Sequence, residues 1–162
     1  MANVQSTLVS NEAAKPIVYN HVGLYGARLR SVVATAETTG SNADTFVFCK
    51  LHPEWRIVHI WLHNDTCSGG TDYDFGLASD VSATAVDIDC YADGLTLASG
   101  RTSAPLDIAY TTRGIEKMGQ YVYQDAGHTT ANKLNEYYLA AIGNTAGAAS
   151  KTIMLNVQFT VD

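Results

Sequence analysis

The chain has 162 residues, 46% of them hydrophobic and only 16% charged, against roughly 25% charged in an average soluble domain, so a charge-driven disordered chain is excluded. One domain is the expectation at this length. Ten Lys and Arg against sixteen Asp and Glu leave a net charge of -6, which argues against a nucleic-acid partner, since displacing counterions from phosphates takes clustered basic residues.

Residues 1–27 hold no sustained period and are predicted to form an extended N-terminal arm. The opening MANVQSTLVSNEAAK has neither a basic start nor an apolar core, and nothing later approaches the roughly 18 apolar residues of a spanning helix. The expectation is a soluble chain made in the cytoplasm, with no membrane partner. The latter part of the arm, PIVYNHVGLY, is rich in β-branched and aromatic residues. Ile17, Val18, Tyr19, Leu24 and Tyr25 are therefore candidate interface residues, with a disordered tail as the competing reading. At about 3.3 Å per residue the first fifteen residues alone can reach roughly 50 Å, enough to touch a neighbouring subunit.

From Arg28 to Asp162 the chain reads as a single β-sandwich domain. RLRSVVATAE, TFVFCKL and WRIVHIWLH are β-type runs separated by TGSNAD and HPE, which predicts consecutive antiparallel strands. In the third run Ile57, His59, Trp61 and His63 fall on one face and Val58, Ile60 and Leu62 on the other. Both faces are largely apolar, so the strand is predicted to be central. Tyr73, Phe75 and Leu77 alternate with polar or small residues as in a half-buried strand. Residues 80–104 read as loop, with a short helical turn around Ile88 to Ala92. PLDIAY is a further strand candidate. Ile115, Met118 and Val122 recur at helical spacing, and EYYLAAI fits helix or strand. The terminal KTIMLNVQFTV alternates cleanly, placing Ile153, Leu155, Val157, Phe159 and Val161 on one face. The pattern as a whole predicts a mainly all-β fold: a two-sheet antiparallel sandwich, with a jelly roll among its forms, the extended arm, and one or two short helices.

No residue pattern specifies chemistry. Cys49, Cys67 and Cys90 are odd in number and lack paired metal-ligand spacing, so free thiols are expected. On a strand, His59 and His63 stand about 13 Å apart and cannot share one ion. No GxSxG or CGSC motif accompanies the histidines. Asp72, Asp74, Asp87 and Asp89 suggest either a hard oxygen cluster for calcium or ordinary strand-face and turn carboxylates. Trp55, Trp61, Tyr73, Tyr91, Tyr121, Tyr123, Tyr137 and Tyr138 divide between core and docking surface, since aromatic rings bury large area with few rotatable bonds. Trp55, beside Pro53 in a turn, is the candidate contact among them.

GLYGARLRSVVAT, WRIVHIWLHNDTCSGGTDYDFGLAS, YADGLTLASGRTSAPLDIAY and KTIMLNVQFTVD together resemble a family of small structural proteins that tailed phages encode near the major capsid protein. The resemblance spans roughly residues 23 to 162. It implies a virion component of the head decoration or cement type on the capsid exterior, with no catalytic residues and no cofactor. The implied partners are the major capsid protein and further copies of the chain, as a dimer or trimer. A virion-attached carbohydrate-binding module, or a head or tail fibre attachment module, is the alternative.

Overall fold

The computed structural model describes residues 28–132 and 134–161. Eight strands run β1 (Arg28–Glu37), β2 (Asp44–Leu51), β3 (Arg56–Asn64), β4 (Tyr73–Ala78), β5 (Ala85–Leu95), β6 (Leu106–Asp107), β7 (Tyr137–Gly143) and β8 (Thr152–Val161). They form two four-stranded sheets, β1-β8-β3-β6 and β2-β7-β4-β5. Every pairing is antiparallel. The partners of β1, β2, β3 and β4 include β8, β7, β6 and β5, the order produced when one long hairpin ribbon is folded over on itself. The cross-links β8–β3 and β7–β4 then complete the sheets.

The core lies between the sheets and follows the alternation of the strands that make it. On β8, Ile153, Leu155, Val157 and Phe159 are buried, and on β4 so are Tyr73, Phe75 and Leu77. The strands 28–37, 44–51 and 56–64 match the three early β-type runs, and EYYLAAI is strand.

Three expectations are corrected. Residues 85–95 form strand β5, where a helical turn was expected around Ile88 to Ala92. Its alternation is hidden because its register against β4 shifts at three points. At the tightest approach a Cβ on Gly76 would lie 2.1 Å from the carbonyl oxygen of Asp87 and 2.4 Å from the carbonyl carbon of Ile88. Only glycine admits the β5 backbone there. Second, Ile57 does not share a face with His59. A bulge between Ile57 and His59 turns Ile57 inward with Ile60 and Leu62, all three fully buried, and leaves His59, Trp61 and His63 half-buried on the outside. The bulge is capped from below: Tyr110 donates its hydroxyl to the Val58 carbonyl at 2.6 Å, and Asp107 Oδ1 accepts from the Ile60 amide at 3.1 Å. Third, Ile115 and Met118 are 73% and 48% exposed, so their spacing marks no helical core face. The segment contains only a 3-10 turn, Ile115–Lys117, and one helical turn, Val122–Asp125.

Buried polar groups hold the loops to the sheets. Thr38, just after β1, is buried; its hydroxyl donates to the Ala148 carbonyl at 2.6 Å, and its backbone exchanges bonds with Ser150 and Lys151. Asn64, ending β3, donates to the carbonyls of Leu97 and Ser99 and accepts from Arg101. Polar groups taken out of water are tolerated because they are paired in this way.

Candidate interaction surface

The turn between β2 and β3 builds the most aromatic corner of the surface. The Trp55 amide donates to the His52 carbonyl at 3.0 Å, closing a tight turn around Pro53 and Glu54. The helical turn Val122–Asp125 is then stitched to it, since Val122 N–H donates to Trp55 O at 2.9 Å and Tyr123 N–H to Pro53 O at 3.1 Å. A bridge between Arg56 and Tyr121 completes the attachment. Five rings gather as a result. Trp55 lies flat on Phe159, with centroids 4.0 Å apart and planes 11° apart, and His52 lies 6.2 Å from Trp55. Tyr121 stacks on Tyr123 at 5.2 Å, with the Arg56 guanidinium 3.6 Å from the Tyr121 centroid.

Trp55 therefore stands as a wall between two concavities. The first, about 500 Å³, is lined by His52, Glu54, Trp55, Tyr121, Tyr123, Ala131 and Val161. The second, about 410 Å³, lies between Trp55 and the segment Leu134 to Glu136, where Leu134 is 89% exposed. Among the predicted contact residues, Trp55 is placed here; Ile17, Val18, Tyr19, Leu24 and Tyr25 lie outside the described residues. Of the other aromatic candidates, Tyr73, Tyr91 and Tyr137 are core, while Tyr121 and Tyr123 join Trp55. Their i, i+2 spacing was the visible signal; their partnership with a residue almost seventy positions earlier was not.

A second polar region backs β5. Arg113 Nε lies 3.0 Å from Asp125 Oδ1, at ion-pair distance though not aligned as a hydrogen bond, and Tyr91 donates its hydroxyl to Asp125 Oδ2 at 3.1 Å. Burial pushes the Asp125 carboxyl up to about 6, against the pull of Arg113 and the Tyr91 hydrogen bond. Burial likewise pushes the Cys49 thiol up to about 11 and raises that of Cys90. No motif announces this pair, because Arg113 and Asp125 meet only through the fold.

The remaining candidates are dispersed. Asn144 donates to Asp74 at 2.7 Å and the Gly94 amide donates to the same carboxylate at 2.9 Å, so Asp74 serves a loop junction. The proximity of Asp74 raises Asp93. Among the described residues no group of three or more His, Cys, Asp or Glu side chains is arranged to hold a metal ion. His59 contacts Asp107 at 2.5 Å and stacks on Trp61 at 5.3 Å. The three cysteines are free thiols.

Among solved structures, the chain is similar to one in the cyanophage Pam1 capsid asymmetric unit. The two share 17% identity and a TM-score of 0.54 over 100% of both chains. It is also similar to one in the capsid of Ralstonia phage GP4, at 14% identity and a TM-score of 0.58, covering 85% of this chain and 88% of that one. At these identities the likeness is one of fold. No protein-family model matches the chain, and no curated protein does.

Proposed function

We propose that this chain is a non-enzymatic structural protein of a tailed-phage virion, a decoration or cement protein that binds the major capsid protein on the outside of the shell. The observation that carries the reading is the end-to-end fold likeness to a chain of the Pam1 capsid asymmetric unit, over 100% of both chains. The strand order supports it: the nested pairing of β1 to β8, β2 to β7, β3 to β6 and β4 to β5 is the way a jelly roll is wound, an architecture used by viral capsid domains. The surface suits association, since Trp55, Tyr121 and Tyr123 present rings at one corner. In this reading the protein acts as a symmetric dimer or trimer that bridges capsomers, and many copies make individually modest contacts sufficient.

The test is to mix purified protein with capsids that lack it and follow co-sedimentation and survival of heat or osmotic shock. Saturable binding that raises the shock threshold is the expected result, and Trp55→Ala is expected to weaken it at least tenfold, the scale of an interface anchor. Capsids that neither retain the protein nor gain resistance would overturn the reading.

The aromatic corner also favours a second reading, a virion-borne carbohydrate-binding or fibre attachment module, because sugar rings stack on Trp and Tyr, and the half-buried Trp55, Tyr121 and Tyr123 line one concavity. Binding to a glycan array that is lost in Trp55→Ala, with no affinity for capsids, would select it.

A further inference from the structure

Four strands edge the two sheets, β1 and β6 in one, β2 and β5 in the other. An open edge is a template for another strand, and proteins blunt such edges with short strands, bulges or charge. β6 is two residues long, β5 slips register at three points and carries Asp87, Asp89 and Asp93, and β2 slips once. Of the four, only β1 is left unblunted.

Its ten residues pair with β8 without a shift, from Arg28 opposite Val161 to Glu37 opposite Thr152. Alternate residues of such a strand turn their N–H and C=O away from the partner, which leaves about five of each facing the open side. Among the described residues no strand pairs with that side. The charges of β1 are sorted by end, with Arg28 and Arg30 at its start, Glu37 at its finish, and none from Ser31 to Ala36.

That sorting makes the edge complementary to itself. A second β1 laid antiparallel sets each basic end against an acidic end, and the uncharged stretches meet in the middle. A parallel copy sets Arg beside Arg and Glu beside Glu, which is destabilising. It also turns one sheet over, so that the partly buried, core-facing Val32 and Ala36 of one copy continue into the outer face of the other. We propose that β1 pairs antiparallel with the β1 of a second copy, joining two β1-β8-β3-β6 sheets into one eight-stranded sheet across a two-fold axis. Each copy contributes its one unblunted edge, so the assembly closes as a dimer and not as a trimer.

Symmetry sets the register. A two-fold axis perpendicular to the sheet keeps outward side chains outward, so even-numbered residues oppose even and odd oppose odd. With Val33 on the axis, residues 29–37 form the ladder, Ser31 facing the partner's Thr35 and Leu29 the partner's Glu37. Glu37 then lies one rung from both the partner's Arg28 and the partner's Arg30. An axis at Val32 leaves Glu37 beyond the ladder. Val33 points outward and is 57% exposed, so main-chain hydrogen bonds hold the joint and its side chain contributes little. The inference rests on the oligomer in the proposed function but not on the capsid. Its test uses the isolated protein, so its failure leaves the capsid-binding test standing.

Sedimentation velocity of the purified protein is expected to show a dimer, and a monomer or a trimer would overturn the proposal. Val33→Cys and Leu29→Cys test the register at two exposed positions, so neither change disturbs the core. Across the axis Val33 stands about 4.5–5.5 Å from the partner's Val33 between Cα atoms, within disulfide reach. Leu29 stands about 26 Å from the partner's Leu29. Under mild oxidation Val33→Cys is expected to form an intermolecular 33–33 disulfide at least tenfold faster than Leu29→Cys forms a 29–29 link. Peptide mapping distinguishes these bonds from any made by Cys49, Cys67 or Cys90, which are free thiols. Equal rates would overturn the pairing. Charge supplies an independent readout. Val33→Lys sets like charges face to face on the axis and is expected to raise the dimer dissociation constant at least tenfold, whereas Leu29→Lys faces the partner's Glu37 and is expected not to raise it. Equal weakening by both variants, or none by either, would overturn the proposal.

Discussion

Strands β1 and β5 are both sheet edges, and they solve opposite problems. β5 slips register against its partner at three points, drives its backbone onto Gly76, and buries Tyr91 against the Arg113–Asp125 pair. β1 stays regular and exposed, with side chains that touch little. The energy holding β5 is concentrated in a few close contacts, whereas that holding β1 is spread along a ladder. Substitutions are therefore expected to be severe behind β5 and mild on β1.

Asp125→Ala is the strongest way to break that contrast. It strands the buried Arg113 charge and the Tyr91 hydroxyl, and removing one member of a buried ion pair costs about 3–5 kcal/mol. Chemical denaturation should show a loss on that scale; a loss under about 1 kcal/mol would mean the pair carries little. Next comes Gly76→Ala, where the added methyl meets backbone that cannot rotate aside. Overpacking of this kind costs about 1–3 kcal/mol, which lowers the melting temperature by about 2–4 °C per kcal/mol in a chain of this size. An unchanged melting temperature would show that β5 does not press on Gly76.

The titration of Asp125 sharpens the comparison. Its folded-state value, pushed up to about 6, lies above the ordinary carboxylate value. Between about pH 4 and 6 the folded protein therefore holds a proton that the unfolded chain has released. That contribution is fully present below the ordinary value and declines as pH rises to 6, by at most about 1.4 kcal/mol per pH unit. The difference in stability between the wild type and Asp125→Asn, measured across this range, should carry that slope; a flat difference would place the titration elsewhere. The smallest effect is expected from Val33→Ala on β1, within about 0.5 kcal/mol, as for exposed sites away from special contacts. A loss above 1 kcal/mol would show Val33 to be covered.

The same contrast explains what could be read from the sequence. β4 and β8 were legible because apolar residues alternate along them, as in Ile153, Leu155, Val157 and Phe159, and β1 was legible from its β-type residues and the turn residues that follow it. β5 was not, because a bulge resets which face a side chain occupies, and its cause sits in another strand at Gly76. The bulge after Ile57 misled in the same way, moving one isoleucine across the sheet. Trp55 was legible as a contact candidate from its place beside Pro53. That Tyr121 and Tyr123, also named among the aromatic candidates, stand beside it was not legible, nor was the Arg113–Asp125 pair, since long-range juxtaposition leaves no local pattern.

The nested pairing of strands has a kinetic consequence. The innermost pair, β4 with β5, joins Ala78 to Ala85 and can form locally, while the outermost, β1 with β8, joins Glu37 to Thr152. Closing such a separation in one step is slow, and folds dominated by distant pairings take milliseconds to seconds. Each pair formed from the inside out shortens the loop left for the next, so the closure cost is met in small logarithmic steps. The expected order of assembly is a zipper from β4–β5 outward, in which β1 docks last.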